Sequence, residues 1–280
     1  MNVALAPNQW LRRSLWIAGL LVVTAAIGTV ATFNANTVKP NLNFTMPDSV
    51  LLQVRDSDKA GWLTLVIADN GRHWFIVPAQ AVVSNGVTVQ TVESTAKALN
   101  LDQTSAALEA LLNVDFDEVW QVDRLGLSAF VEAADGVIIT PERDLKIAPT
   151  NAPDLNLLGG VAYKLSGTYA SVYALDPALL ADNKRYERFD AVISSLMSRL
   201  DAATLPTVLP AIGSASRSSM TQPELIAFIE KLQQLRAVSD PEVATLPRIL
   251  ATYNGQQHSY LLTAARTQLI EAGVRERITP

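Results

Sequence analysis

The sequence predicts an α/β protein, a three-layer α/β/α sandwich with a central mixed sheet, preceded by one N-terminal transmembrane helix. Three observations lead there. Short apolar, β-rich runs alternate with stretches of helical period. Residues 14–33 (SLWIAGLLVVTAAIGTVATF) form one uncharged apolar stretch. The 280 residues are 49% hydrophobic and 18% charged, enough apolar material for a sizeable core and unlike a disordered chain.

The elements follow in order. The stretch 14–33 has roughly the twenty residues that a helix needs to span a bilayer. Arg12 and Arg13 precede it, and no Lys or Arg follows until Lys39. That asymmetry places residues 1–13 in the cytoplasm and the rest outside it, as a single-pass protein of the cell membrane. A cleaved secretory signal is the first alternative, although its apolar core is usually shorter and Val30-Ala31-Thr32-Phe33 is a poor cleavage site. A buried core helix is the second. Residues 34–48, rich in Asn, Thr and Pro, read as a linker. Residues 49–280 then form the extracytoplasmic domain.

Within that domain Val50 to Val54 reads as a strand. Leu63 to Ala68 and His73 to Val77 flank Asp69-Asn70-Gly71-Arg72, a hairpin signal because Asn and Gly accept positive φ. A helix runs from Thr104 or Ser105 to Leu112, and Val119 to Asp123 is the next strand. Ser128 to Ala134 is a short helix, ended by Asp135-Gly136 with Gly in the left-handed cap. Val137 to Ile139 follows as a strand. Tyr186 to Leu200 carries Phe189, Val192, Ile193, Leu196 and Met197 on one face, with Arg185, Arg188 and Arg199 off that stripe. Thr221-Gln222-Pro223-Glu224 is a capping box that opens another helix. Tyr260 to Ala272 reads as the last helix, closed by Gly273.

Composition excludes several chemistries. There is no cysteine, so thiolate metal sites, disulfides and cysteine nucleophiles are ruled out. His73 and His258 are the only histidines, too few for a histidine metal cluster. A net charge of -5 argues against a nucleic-acid partner. No phosphate-binding or dinucleotide-binding glycine motif is present.

Three stretches, in order, resemble the extracytoplasmic domain of the LytR-CpsA-Psr family. The first runs from Ala107 through Asp115, Phe116 and Asp117 to Asp123, and on through Leu127-Ser128-Ala129-Phe130-Val131 to Asp135-Gly136-Val137. The second is Leu165-Ser166-Gly167-Thr168-Tyr169-Ala170-Ser171-Val172-Tyr173, followed by Arg185-Tyr186-Glu187-Arg188. The third is Pro206 to Leu235, with a polar Ser-Arg-Ser-Ser loop. The resemblance implies a membrane-anchored protein of bacterial cell-envelope assembly. It implies transfer of a phosphate-linked glycopolymer from a polyprenyl-pyrophosphate donor to peptidoglycan, with an apolar tunnel for the prenyl chain.

Such transfer needs cations around the phosphates, and arginine suits this because its planar fork grips two oxygens and stays charged. By the resemblance, Arg185 and Arg188 are the phosphate-binding candidates that remain. Ala79 stands where an arginine is expected, and Leu175 and Pro177 fall near two more. A carboxylate is expected near Gly61, with Asp56 and Asp58 close by. The expected reading is therefore a catalytically degenerate protein that needs no cofactor and binds a polyprenyl-linked glycan or scaffolds wall assembly. One alternative is an active phosphotransferase using Arg185, Arg188, nearby acids and Mg²⁺. Another is an unrelated anchored interaction module with a closed core.

Plainer readings stand beside these. Arg185 and Arg188 also suit a solvated or salt-bridged helix end. Asp115, Asp117, Glu118 and Asp123 suit either a divalent cation or an exposed acidic loop. His73 reads as a hairpin surface residue and His258 as a loop residue. A shift in register admits Arg55, Arg72 or Arg143 as a retained arginine.

Overall fold

Alternation of side chains along the first strand decides how the sheet sits. In β1 (Ser49–Arg55), Val50, Leu52 and Val54 face one side, while Leu51, Gln53 and Arg55 face the other. All seven are buried, so both faces of the sheet must be covered. The computed structural model describes residues 44–55, 61–84, 89–95, 101–149, 152–175, 182–253 and 256–277. They fall in one compact unit, residues 41–280. The expected membrane span at 14–33 lies outside the described residues. Among those residues no helix is long and apolar enough to cross a membrane.

The central sheet adds β2 (Gly61–Ala68), β3 (His73–Val77), β4 (Glu118–Asp123), β5 (Ser216–Ser218) and β6 (Glu242–Thr245) to β1. Their spatial order is β5-β4-β1-β2-β3-β6. β1 is parallel to β4 and antiparallel to β2; β3 is antiparallel to β2 and parallel to β6; β5 is antiparallel to β4. The sheet is thus mixed, as the sequence predicts. The hairpin turn is where Asn-Gly places it, with Asp69, Asn70 and Gly71 all at positive φ.

The first face carries α2 (Arg124–Ala133), α3 (Gly167–Ala174), α4 (Asp182–Arg199), α5 (Leu205–Ile212) and α6 (Gln222–Arg236). The second face carries α1 (Leu101–Leu112) and α7 (Thr263–Glu271). The capping box at Thr221 and Glu224 forms as the sequence indicates. Asp135 and Gly136 both adopt positive φ after α2.

Several boundaries differ from the sequence reading. Helix α1 begins at Leu101, before Thr104. Helix α2 begins at Arg124, before Ser128, because the Asp123 carboxylate accepts hydrogen bonds from the amides of Leu125 and Gly126. Helix α4 begins at Asp182, so Arg185 and Arg188 lie within it. The Ser-Arg-Ser-Ser loop supplies the edge strand β5. Tyr260 belongs to a strand, Gln256–Leu261, which pairs antiparallel with Arg248–Tyr253, and α7 starts only at Thr263. His258 is therefore in a strand. Of the expected linker, Met46 is buried against the first-face core.

Candidate functional site

The arginine-bearing end of α4 is positioned by close backbone packing. A Cβ on Gly167 would overlap the Ser128 carbonyl of α2, so only glycine lets α3 begin there. The Gly167 amide donates to the Glu132 carboxylate at 2.6 Å. Helix α3 then delivers Tyr173 into the core, and α4 lies against it.

Arg188 is only 4% exposed. Its Nη2 donates to Glu142 Oε1 at 3.0 Å, and its guanidinium sits 5.2 Å from the centre of the Tyr173 ring. Burial pushes the Tyr173 hydroxyl up to about 12; the Glu142 charge adds to this and Arg188 opposes it. Burial also pushes the Glu142 carboxyl up. Its own backbone amide and Arg188 outweigh that, with help from Arg143, and hold its pKa below the ordinary value. Arg185, one turn earlier, is 7% exposed. Both arginines are thus buried within α4, contrary to the expectation that they lie off its apolar stripe. The plain reading of a salt-bridged helix end fits the Arg188–Glu142 pair in part, but a solvated end does not fit residues this deep.

The next turns of α4 line an apolar cavity. It lies between the first face of the sheet and α4 and α6, bordered by Val54, Trp120, Ile193, Met197, Ile229 and Leu232 among others. Every lining residue is hydrophobic. Its volume is about 40 Å³. Ligand pockets usually enclose about 300–1,000 Å³. An apolar slot therefore exists, but it must widen to admit a prenyl chain.

The flanking ion pair was not legible in the sequence. Arg236, the last residue of α6, pairs with Asp190 of α4, donates to Ser194 Oγ at 2.7 Å and stacks 5.0 Å from the centre of the Trp74 ring. Tyr186 donates to the same Asp190 carboxylate at 3.1 Å, and burial, more than the nearby charges, raises its pKa. These contacts tie together the two helices that border the cavity.

Two of the positions where the resemblance expects arginines are apolar and deep. Leu175 is 0% and Ala79 4% exposed. Pro177, Asp56 and Asp58 lie outside the described residues. Of the three arginines that a register shift admits, Arg72 lies on the surface beside Asp69, and Arg143 is largely exposed beside Glu142. Arg55 is buried on the second face of the sheet.

The acidic candidates are engaged in structure. Asp123 caps α2. Asp117 accepts from the Ser49 amide at 3.0 Å and pairs with Arg275. Asp115 faces Arg277 at 3.7 Å, and Glu118 accepts from Ser219 Oγ. Among the described residues no three His, Asp or Glu side chains converge as a metal site. These acids do not fit a Mg²⁺ site, because amides, arginines and a serine already occupy them. An open cleft of about 450 Å³ beside them is lined by Asp48, Asp117, Glu118 and Glu224, a surface that repels phosphate. His73 lies partly exposed in the hairpin, 3.4 Å from Glu242 and 3.7 Å from Asp69, as a surface residue should.

No protein-family model matches the sequence. No curated protein matches it either. Solved structures do. TagV of B. subtilis superposes with a TM-score of 0.62 at 14% identity, covering 84% of this chain and 98% of TagV. A LytR-Csp2A-Psr enzyme from Actinomyces oris gives a TM-score of 0.60 at 13% identity, covering 83% and 92%. The fold is that of the LytR-CpsA-Psr proteins. TagT bound to LIIa-WTA gives a TM-score of 0.62 at 16% identity, covering 84% and 92%. These superpositions show a shared fold, and at such low identity the chemistry of this chain has to be argued from its own residues.

Proposed function

We propose that this chain is a membrane-anchored protein of cell-envelope assembly, with its LytR-CpsA-Psr domain outside the cytoplasm, and that it binds a polyprenyl-linked glycan without transferring it. One observation carries the reading. Two buried arginines, Arg185 and Arg188, head the helix whose following turns border an all-apolar cavity. That order, cation then oil, matches a phosphate followed by a prenyl chain.

The loss of transfer is argued from what surrounds them. Ala79 and Leu175 bring no charge and are enclosed, so no flexible cation can take over from those positions. Arg188 is already committed to Glu142, and an incoming phosphate must displace that carboxylate. A transition state that gathers charge on phosphoryl oxygens is poorly served by a cation with a resident counter-ion. The similarity to TagT bound to LIIa-WTA supports a lipid-linked glycopolymer as the ligand class.

The test uses the full chain in detergent with a labelled polyprenyl-pyrophosphate glycan, peptidoglycan acceptor and Mg²⁺. Saturable binding without transfer is expected, with binding weakened in Arg188→Gln. Sustained transfer that depends on Arg185 and Arg188 would establish an active phosphotransferase instead. No binding at all would favour an interaction module with a closed core.

A further inference from the structure

We infer that Arg55 anchors a second, separate oxyanion-binding site, on the face of the sheet opposite the apolar cavity. The inference does not rest on the function proposed above. Arg55 ends β1 and is 5% exposed. Its contact is one long hydrogen bond, from Nη1 to Gln121 Oε1 at 3.5 Å, and its Nε is buried with no hydrogen-bond partner. Among the described residues no carboxylate pairs with it. Asp123, its register partner on β4, is occupied by the α2 cap.

The neutral groups around Arg55 form a directed chain. Gln121 Nε2 donates to Gln53 Oε1 at 2.9 Å. Gln53 Nε2 in turn donates to Thr95 Oγ1 at 3.2 Å and lies 3.5 Å from Thr64 Oγ1. All four side chains are buried. The chain spends its amide donors inward and turns one carbonyl oxygen toward the guanidinium. It holds Arg55 in place without neutralising it.

Burying a guanidinium against neutral amides is unfavourable by several kcal/mol unless an anion completes the pair. Sequences keep such a cost chiefly at functional positions. The place also suits a ligand. β1 and β4 are parallel, and ligands of α/β sheets gather at the carboxyl ends of parallel strands. The guanidinium fork pairs two oxygens of a phosphate, sulfate or carboxylate group. Asp56 and Asp58, the next acids in sequence, lie outside the described residues.

Thermal unfolding of the full chain in detergent, at constant ionic strength, tests this with inorganic phosphate as probe and a prenyl monophosphate in a parallel arm. Phosphate should raise the melting temperature in a saturable manner. Arg55→Gln should weaken its affinity at least ~10-fold, equivalent to about 1.4 kcal/mol. Gln121→Glu should do the same, because it sets a carboxylate beside the Arg55 guanidinium. That second variant keeps the test open if Arg55→Gln fails to fold. Arg55→Gln made in an Arg188→Gln background should weaken the phosphate effect by the same factor as in the native protein, which separates this site from the one on α4. Saturation by both ligands, each weakened by Arg55→Gln, marks a lipid-borne phosphate as the natural source, and an Arg55-dependent effect of inorganic phosphate alone marks a free anion; either supports the site. No phosphate effect in the native protein, or an affinity in Gln121→Glu within about twofold of native, would overturn it.

Discussion

The two faces of the sheet solve the problem of buried charge in opposite ways. On the first face the interior is purely apolar, and the arginines stand at its rim, where Glu142 and Asp190 answer Arg188 and Arg236. On the second face the polar groups lie within the packed layer, and Arg55 is met by a glutamine chain in place of an acid. The first arrangement leaves a slot able to accept oil with cations at its margin. The second builds a rigid polar spine, which a neutral partner holds and an anion completes. The contrast teaches that burial alone does not set how well an arginine receives an anion. A resident carboxylate must first be displaced, whereas a neutral amide need not be.

That contrast is open to experiment. The largest expected effect is on the first face. Phe228 is fully buried and meets Trp120 edge to face at 6.3 Å. Phe228→Ala should cost about 3–5 kcal/mol of unfolding free energy in urea titrations. On the second face, Gln121→Leu removes the middle of the amide chain and strands Gln53 and Arg55. A loss of about 1–3 kcal/mol is expected by the same measurement. A loss near zero would show that the chain is not a structural element.

Packing should also differ in sign between the faces. Val54 borders the cavity, and Val54→Ile should stabilise by about 0.5–1 kcal/mol. Val66 is fully buried on the other face, opposite Leu51 and Phe75 across its neighbouring strands. The same added methylene there should destabilise by about 1–3 kcal/mol. Equal effects would mean that the cavity has no energetic consequence.

The smallest effect is one of pH. The Glu142 carboxyl is held below its ordinary value of 4.5. Its pairing with Arg188 therefore adds stability above that value, and the contribution fades as pH falls through the lowered folded value. The native protein should be more heat-stable than Glu142→Gln near neutral pH, with the gap closing as pH falls below the ordinary carboxylate range. Glu142→Gln should also bind phosphate-bearing ligand more tightly at α4, since it removes the carboxylate that competes for Arg188.

Much of this architecture is legible in the sequence, and the exceptions have physical causes. Asn70-Gly71, the Thr221 capping box and the Asp135-Gly136 helix end act locally, so short motifs reveal them. The strands Arg248–Tyr253 and Gln256–Leu261 pair antiparallel, and that pairing outweighs the helical period read for Tyr260 onward. Helix α2 starts four residues before Ser128 because Asp123 caps it, and Asp123 carries no sequence signal that separates a cap from a cation ligand. Arg188 is buried against Tyr173 and Glu142, which are distant in sequence. Arg236 and the Gln53–Gln121 chain carry no motif at all. They become visible only when β1, β4, α4 and α6 are brought together.

The central claim is that an isoprenoid chain enters between the sheet and helices α4 and α6, behind Arg185 and Arg188. Photo-crosslinking with a polyprenyl phosphate that carries a benzophenone in its tail, followed by peptide mapping, tests this most directly. Labels on Ile193, Met197 and Ile229, lost when the unlabelled lipid competes, are the predicted result. Labels confined to residues outside α4, α6 and the first face of the sheet would contradict it.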